Sequence, residues 1–200
     1  MIEYRKIDLE KVKEDLLNGK IVAFPTDTVF GLGCLKGDET AKEKIYEAKN
    51  RSIDKKLPMM VNDFEMLSRY CEVTNEIKLL LNAFTPGPIT LIMKYLNSDE
   101  TVAVRIPNDE WILKLIKELD KPLLVTSANI SGSGSLIKCE DVIKQIGDKV
   151  DAIVMDDARG DKASTIVDCL NCYKILREGP ISEMEIQKVL KGDRLWDQYM

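Results

Sequence analysis

The 200-residue sequence contains no histidine. Histidine is the side chain that most often carries protons near neutral pH, and it belongs to Ser-His-Asp triads, Cys-His pairs and many zinc sites. Its absence excludes all of these arrangements. Any chemistry must therefore use carboxylates, lysine, arginine, hydroxyl groups and bound cations, which act by positioning and charge.

Cysteine is also scarce, and its distribution argues against a disulfide framework or a zinc site. The five cysteines are Cys34, Cys71, Cys139, Cys169 and Cys172. The last two form a C-x-x-C pair, but a zinc site needs two further ligands, which no second pair and no histidine supplies. A redox pair typically opens a helix, whereas this pair lies between strand-like segments. We therefore expect buried or bystander thiols.

Long apolar runs are missing as well. None approaches the about 20 residues that cross a bilayer, and the first residues, M-I-E-Y-R-K-I-D, show neither a signal core nor a transit pattern. We expect a cytoplasmic protein with no membrane partner. At 44% hydrophobic residues, the length suits one domain over 1–200, ending in a helix and tail from about 185. With a net charge of −5, any anionic ligand needs a local basic cleft.

Buried strands in this sequence repeatedly end in small polar residues. The apolar run at 123–125 leads into T-S-A-N-I-S-G at 126–132, and the run at 21–24 leads into P-T-D-T-V-F-G-L-G at 25–33. Small hydroxyl and amide side chains leave room for a ligand and form hydrogen bonds with it. These strand ends are therefore candidate parts of a site, although ordinary turns are an open alternative for both.

Two basic features favour an anionic ligand. A helix after Asp38 ends near K-N-R at 49–51, where Lys49 and Arg51 can converge only if the helix stops at about Lys49. A solvated basic helix end that complements the helix dipole is the alternative. Arg105 lies among apolar residues near the end of a strand, so it needs an anionic partner, either a structural carboxylate or a ligand.

Seven segments, taken in order, resemble the YrdC-like threonylcarbamoyl-adenylate synthases. They are P-T-D-T-V-F-G-L-G (25–33), K-N-R (49–51), T-P-G-P-I-T-L-I (85–92), V-A-V-R-I-P (102–107), T-S-A-N-I-S-G (126–132), S-T-I-V-D (164–168) and I-L-R-E-G (175–179). The resemblance covers nearly the whole chain. It implies a single-domain α/β fold, YrdC-like or dihydroxybutanone-phosphate-synthase-like, with a twisted mixed sheet flanked by helices and a deep basic cavity. The chain resembles the short form of the family, without the further C-terminal domain of longer members.

The resemblance also implies an activity. Members of this family are ATP-dependent nucleotidyltransferases that make L-threonylcarbamoyl-AMP and pyrophosphate from L-threonine, bicarbonate or CO2, and ATP with Mg²⁺. The product serves the t6A37 modification of tRNA, so tRNA is expected to be reached mainly through the downstream t6A transferase machinery. Some related domains act as RNA-binding modules in RNA maturation. Others serve in carbamoyl transfer during hydrogenase maturation. The acidic net charge argues against the first alternative, and the lack of zinc-finger or acylphosphatase-like segments argues against the second.

Carried over by position, the resemblance implies roles for particular residues. Catalytic roles fall on Lys49, Arg51, Ser127 and Asn129. ATP contacts fall on Arg51, Lys55, Thr101, Ser127, Ser135 and Arg177. Threonine contacts fall on Thr28, Arg105, the backbone around Val125, and Ser164. No protein ligand to a metal is implied, so Mg²⁺ is expected to arrive with ATP. The set is chemically coherent, because cations hold a triphosphate, a guanidinium holds a carboxylate and small donors hold the remaining oxygens.

Overall fold

The computed structural model describes residues 1–192, which contain ten strands, seven α-helices and two short 3-10 helices at Lys6–Asp8 and Gly147–Lys149. The strands are β1 Ile2–Tyr4, β2 Val22–Phe24, β3 Gly31–Leu35, β4 Met59–Met60, β5 Ile89–Lys94, β6 Thr101–Arg105, β7 Leu123–Ser127, β8 Ala152–Val154, β9 Thr165–Asp168 and β10 Lys174–Arg177. The helices are α1 Leu9–Leu17, α2 Glu39–Lys49, α3 Phe64–Ser68, α4 Asn75–Phe84, α5 Glu110–Leu119, α6 Cys139–Ile146 and α7 Glu183–Leu190. The predicted tail at 193–200 lies outside the described residues.

All ten strands belong to one sheet, in the order β1-β8-β2-β3-β7-β4-β6-β5-β9-β10. Four neighbouring pairs are parallel and five are antiparallel. Helices pack against the sheet, and the buried apolar side chains form one cluster. The predicted α/β fold with a mixed sheet flanked by helices is confirmed. Within residues 1–192, no helix has the length and apolar character needed to span a bilayer.

Helix α2 ends where the basic segment requires it to end. Its last residue is Lys49, and Asn50 has the left-handed backbone conformation, with φ at 49°. Asparagine enters this region more readily than most residues because its short polar side chain bonds locally. At the other end, the Asp38 carboxylate accepts a hydrogen bond from the Ala41 N–H. The left-handed turn takes Arg51 out of the helix, so Lys49 and Arg51 are not restricted to different helix faces.

Strand β3 differs from what the sequence predicts. The pattern at 25–33 predicts a strand end or a turn, yet its last residues begin a five-residue strand. Glycines usually count against a strand. Here a Cβ on Gly33 would lie 3.0 Å from the Phe24 ring and 3.2 Å from Val125, and one on Gly31 would meet the same two side chains. The glycines therefore let side chains of β2 and β7 close over β3 from either side.

Candidate active site

A cavity with a volume of about 320 Å³ opens on one face of the sheet. Seven adjacent strands, from β3 to β10 in the sheet order, contribute residues to its wall. At a strand spacing of ~4.8 Å, seven strands of a flat sheet would be ~29 Å wide, far wider than this cavity. The sheet must therefore curve around the cavity, which brings strand ends that are distant in sequence to one place.

The cavity wall is positively charged. Its charged residues are Arg51, Lys56, Arg105 and Arg177, and within the part of the chain that the structure describes no carboxylate belongs to the wall. Burial lowers the pKa of each of the three arginines, but a guanidinium stays protonated in proteins. The other polar residues of the wall carry hydroxyl groups: Thr26, Thr28, Thr90, Thr126, Ser127 and Ser164. Such a wall suits a ligand with several anionic oxygens.

Arg105, at the end of β6, is held on three sides. Its Nη2 donates to Asp27 Oδ1 at 2.7 Å, its Nη1 donates to Thr28 Oγ1 at 2.6 Å, and its Nε donates to the Gly87 carbonyl at 3.3 Å. The second Asp27 oxygen accepts the Asn108 backbone N–H at 3.0 Å. The anionic partner that Arg105 requires in the folded chain is therefore a structural carboxylate. Two of the five guanidinium N–H groups are left for a ligand.

A second polar network joins β5, β9 and β10. The hydroxyl oxygens of Thr90 and Ser164 are 2.7 Å apart, and Arg177 donates to the Ser164 carbonyl through Nε at 3.0 Å and Nη2 at 2.8 Å. Arg177 lies where the register between β9 and β10 shifts. Such a bulge commonly re-aims a side chain. The network fixes one hydroxyl and one guanidinium at the cavity wall.

Lys49 supports the cavity from behind. Its side chain is buried, with 1% exposure, and its ammonium group donates to the backbone carbonyls of Ser127 and Asn129. Its Nζ also lies 3.5 Å from Asn129 Oδ1. Burial, followed by the positive charge of Arg51, lowers the pKa of Lys49 to about 8. Lys49 thus holds the end of β7 in place, where Ser127 faces the cavity. A change in the charge of Lys49 would alter these hydrogen bonds and the electrostatic potential at that end.

The segment after α2 brings two cations to the wall. Arg51 donates through Nε to the Lys55 carbonyl at 3.1 Å and through Nη2 to the Lys56 carbonyl at 3.2 Å. The Lys56 ammonium donates to the Thr101 carbonyl at 3.3 Å and lies 3.7 Å from the Glu100 carboxylate. Because Arg51 folds the segment back on itself, the Lys56 side chain reaches the cavity.

Of the residues predicted from the sequence, seven line the cavity and five do not. Those that line it are Thr28, Arg51, Arg105, Val125, Ser127, Ser164 and Arg177. The others are Lys49 and Asn129, buried behind Ser127; Lys55 and Ser135, both exposed; and Thr101, at the start of β6. The ATP, threonine and catalytic roles implied for all twelve residues remain predictions.

Three wall or near-wall residues were given no role by the sequence. Asp27 stands between two threonines of the quoted motif, which was the available signal for it. Lys56 is adjacent to the predicted Lys55, and Thr90 lies within the segment 85–92. Each of the three forms a hydrogen bond with a residue distant in sequence: Asp27 with Arg105, Thr90 with Ser164, and Lys56 with the carbonyl of Thr101. These partners lie far away in sequence, so only the folded chain identifies them.

The C-x-x-C pair lies away from this cavity. Cys169 and Cys172 follow β9, and burial raises the pKa of Cys169 to about 12, so that thiol is protonated near neutral pH. Within residues 1–192, no three cysteine, aspartate or glutamate side chains lie close enough together to hold a metal ion. The structure thus gives the cysteines no part in the site.

Fold and cavity together define a class of protein: an α/β protein whose curved mixed sheet encloses a basic cavity lined by hydroxyl groups. A family model places the chain more narrowly. The Sua5_yciO_yrdC family, described as "Telomere recombination", matches residues 14–179. The chain belongs to this family.

Similar proteins include named enzymes. The threonylcarbamoyl-AMP synthase of Pyrococcus abyssi is 37% identical over 188 residues, covering 88% of this chain and 55% of the relative. The threonylcarbamoyl-AMP synthase of Vibrio parahaemolyticus is 34% identical over 184 residues, covering 86% of this chain and 99% of the relative. The crystal structure of P. abyssi Sua5 complexed with L-threonine superposes with a TM-score of 0.86 at 34% identity, covering 94% of this chain and 60% of that one. The chain thus spans about half of the archaeal relative and nearly all of the bacterial one.

Proposed function

We propose that the chain is an L-threonylcarbamoyladenylate synthase. It forms threonylcarbamoyl-AMP and pyrophosphate from L-threonine, bicarbonate or CO2, and ATP, and its product serves t6A37 modification of tRNA. The observation that carries the proposal is the composition of the cavity wall, where four cations and six hydroxyl side chains surround the space. An adenylating enzyme needs this combination, because the phosphates require cations and the reacting oxygens require small donors. The relatives with this activity support the same conclusion.

The arginines of the cavity wall have two binding roles, one toward phosphate and one toward carboxylate. Arg51 and Arg177 donate only to carbonyl and hydroxyl oxygens of the described chain, so their charges are available for phosphate groups. Arg105 has two N–H groups left, which is the number that one carboxylate of L-threonine takes in a bidentate contact. Lys55, Thr101 and Ser135 would then contact parts of ATP that extend beyond the cavity.

The proposed reaction uses charge and position in two steps. The neutral threonine amine adds to CO2 through a new N–C bond, and the proton that the nitrogen then loses passes to water, which leaves a carbamate. A carbamate oxygen then attacks the α-phosphorus of ATP in line, forming a new P–O bond while the bond to the bridging oxygen breaks and its electron pair leaves with pyrophosphate. Arg51 and Arg177 stabilise the phosphate charge, and Thr28 and Ser164 orient the amino acid. Holding the reactants together in this way is itself a large part of catalysis.

Mg²⁺ enters this scheme as part of the nucleotide substrate. Mg²⁺ usually binds through substrate phosphates in nucleotide sites, so the ATP phosphates would carry the ion. When bound there, it would neutralise charge on the leaving pyrophosphate. The tRNA would be reached indirectly, when the downstream t6A machinery takes up the product, and a cytoplasmic location remains a prediction.

The test is a pyrophosphate-release assay on the purified protein. Release is expected with L-threonine, bicarbonate and Mg-ATP together, and omission of either threonine or bicarbonate should suppress it. Replacing L-threonine with D-threonine provides a matched substrate control. Tight binding of double-stranded RNA at physiological salt without any turnover of ATP would favour an RNA-binding module instead.

A further inference from the structure

Positive charge in the cavity is unevenly compensated. Arg105 forms an ion pair with Asp27 at 2.7 Å, and the two side chains are only 8% and 9% exposed. Arg51 and Arg177 have hydrogen bonds to oxygens of the chain but no ion pair among the residues at 1–192. The contact between Lys56 and the exposed Glu100 is longer, 3.7 Å, and water screens it. Arg105 is thus the one arginine of this wall with a buried neutralising partner in the described chain.

We propose that Asp27 is a specificity-determining residue. By neutralising Arg105, it makes this arginine accept the single negative charge of an amino-acid carboxylate and reject a phosphate chain. The inference rests on the proposed function, because it takes an amino acid and a nucleotide triphosphate as the two ligands of the cavity.

The geometry supports a permanent role for this carboxylate. Asp27 is tied on its other oxygen to the Asn108 backbone N–H at 3.0 Å, so it is held in place from two directions. A carboxylate that approaches Arg105 can use the two remaining N–H groups without displacing Asp27. A phosphate group carries more charge, and it would lie beside the largely buried Asp27 carboxylate, where repulsion is stronger than in bulk water.

The neighbourhood of Arg105 explains why such a device is needed. Arg177 is close enough for its positive charge to help lower the pKa of Arg105, after burial as the main cause. Without Asp27, the two guanidinium groups would form a joint site for polyphosphate. ATP, as the more highly charged substrate, would then compete with threonine for Arg105. Asp27 removes this competition by leaving only Arg177 uncompensated on that side.

The experiment measures binding, so it does not depend on turnover. L-threonine is titrated calorimetrically into the protein with and without saturating tripolyphosphate. In the unaltered protein, tripolyphosphate should change the threonine Kd by less than about threefold. In Asp27→Asn, tripolyphosphate should compete with threonine and raise its apparent Kd by about tenfold or more. Asp27→Glu, which keeps the charge, should resist competition.

Asp109→Asn is the matched control. Asp109 is also buried and pairs with an arginine, Arg159, at 2.9 Å, but neither residue lines the cavity. This variant should show no competition between the ligands. The control therefore separates loss of a buried carboxylate in general from loss of the one beside Arg105.

The outcomes are distinct. The proposal would be overturned if Asp27→Asn binds threonine more weakly but tripolyphosphate still does not compete with threonine. Asp27 would then only position Arg105. If this variant does not fold, the unaltered protein decides: displacement of threonine by tripolyphosphate overturns the proposal, and independent binding supports it. Absence of any threonine binding to the unaltered protein would count against the proposed function itself.

Discussion

Replacing Arg105 with alanine should destabilise the fold as well as weaken threonine binding. The guanidinium is the buried counter-charge of Asp27 and also donates to Thr28 and Gly87. After the replacement, the Asp27 carboxylate would keep only the Asn108 backbone N–H as a partner. A buried carboxylate with one neutral donor is poorly compensated, so the cost falls mainly on the folded state.

The size of the effect follows from the burial of the pair. Removing one partner of a buried ion pair typically costs about 3–5 kcal/mol. Arg105 borders a cavity that water can enter, so we expect the lower value, about 3 kcal/mol. For a chain of this length, 1 kcal/mol corresponds to roughly 2–4 °C in Tm, which gives a fall of about 6–12 °C.

Urea denaturation of four proteins measures the effect: the unaltered chain, Arg105→Ala, Asp27→Ala and the double variant. Because each single variant leaves one charge unpaired, the double-mutant cycle should give a coupling energy of at least about 2 kcal/mol. Arg69→Ala is the control, since it breaks an exposed pair with Asp120 and should cost under about 1 kcal/mol. An Arg105→Ala cost no larger than that of Arg69→Ala, or a coupling energy near zero, would show that Arg105 and Asp27 do not stabilise the fold as a buried ion pair.

Four further outcomes are expected. Arg51→Ala should lower kcat/KM by about 100-fold, roughly 3 kcal/mol of transition-state stabilisation, and steady-state kinetics should show no rise in the KM for threonine. Arg105→Ala should instead raise the KM for threonine and leave ATP affinity nearly intact. Arg105→Lys should restore little threonine affinity, because an ammonium group cannot form the bidentate contact of a guanidinium. Equal loss of ATP binding in Arg51→Ala and Arg105→Ala would contradict separate phosphate and carboxylate roles for the two arginines. Because Lys49 is charged only below its pKa of about 8, ATP affinity measured by titration should fall as the pH rises through 8, and Lys49→Met should abolish this step. Gly160→Ala should lower Tm and threonine affinity, since its Cβ would lie 2.6 Å from the Thr28 carbonyl; an unchanged Tm would contradict the packing.

The sequence predicted that Arg105 needs an anion but left its identity open. Asp27 is 78 positions away and follows β2, which is four places from β6 in the sheet order. Their contact depends on how the sheet curves, which no local pattern encodes. The strand ends themselves were predictable, because buried apolar runs stop at prolines and hydroxyl residues.

Local sequence rules describe the end of α2 better than the segment that follows it. The sequence allows Lys49 and Arg51 to converge only if the helix stops at about Lys49, and the structure places the end there. The segment after Arg51 has no periodic pattern, so the sequence offered no physical basis for choosing between Lys55 and Lys56. In the folded chain, Arg51 donates hydrogen bonds to the carbonyls of both residues, and Lys56 is the one of the two that lines the cavity. The same limit explains why β3 was missed, since its glycines are required by side chains of neighbouring strands.

In the proposed reaction, the protein joins the carbon of bicarbonate to threonine and to AMP. The most direct test incubates the purified protein with L-threonine, ¹³C-labelled bicarbonate and Mg-ATP, and analyses the quenched mixture by mass spectrometry. We expect a threonylcarbamoyl-adenylate that is heavier by about one mass unit than the product from unlabelled bicarbonate, and that is absent without threonine. Pyrophosphate release, or hydrolysis of ATP, without any labelled adenylate would contradict the proposed reaction.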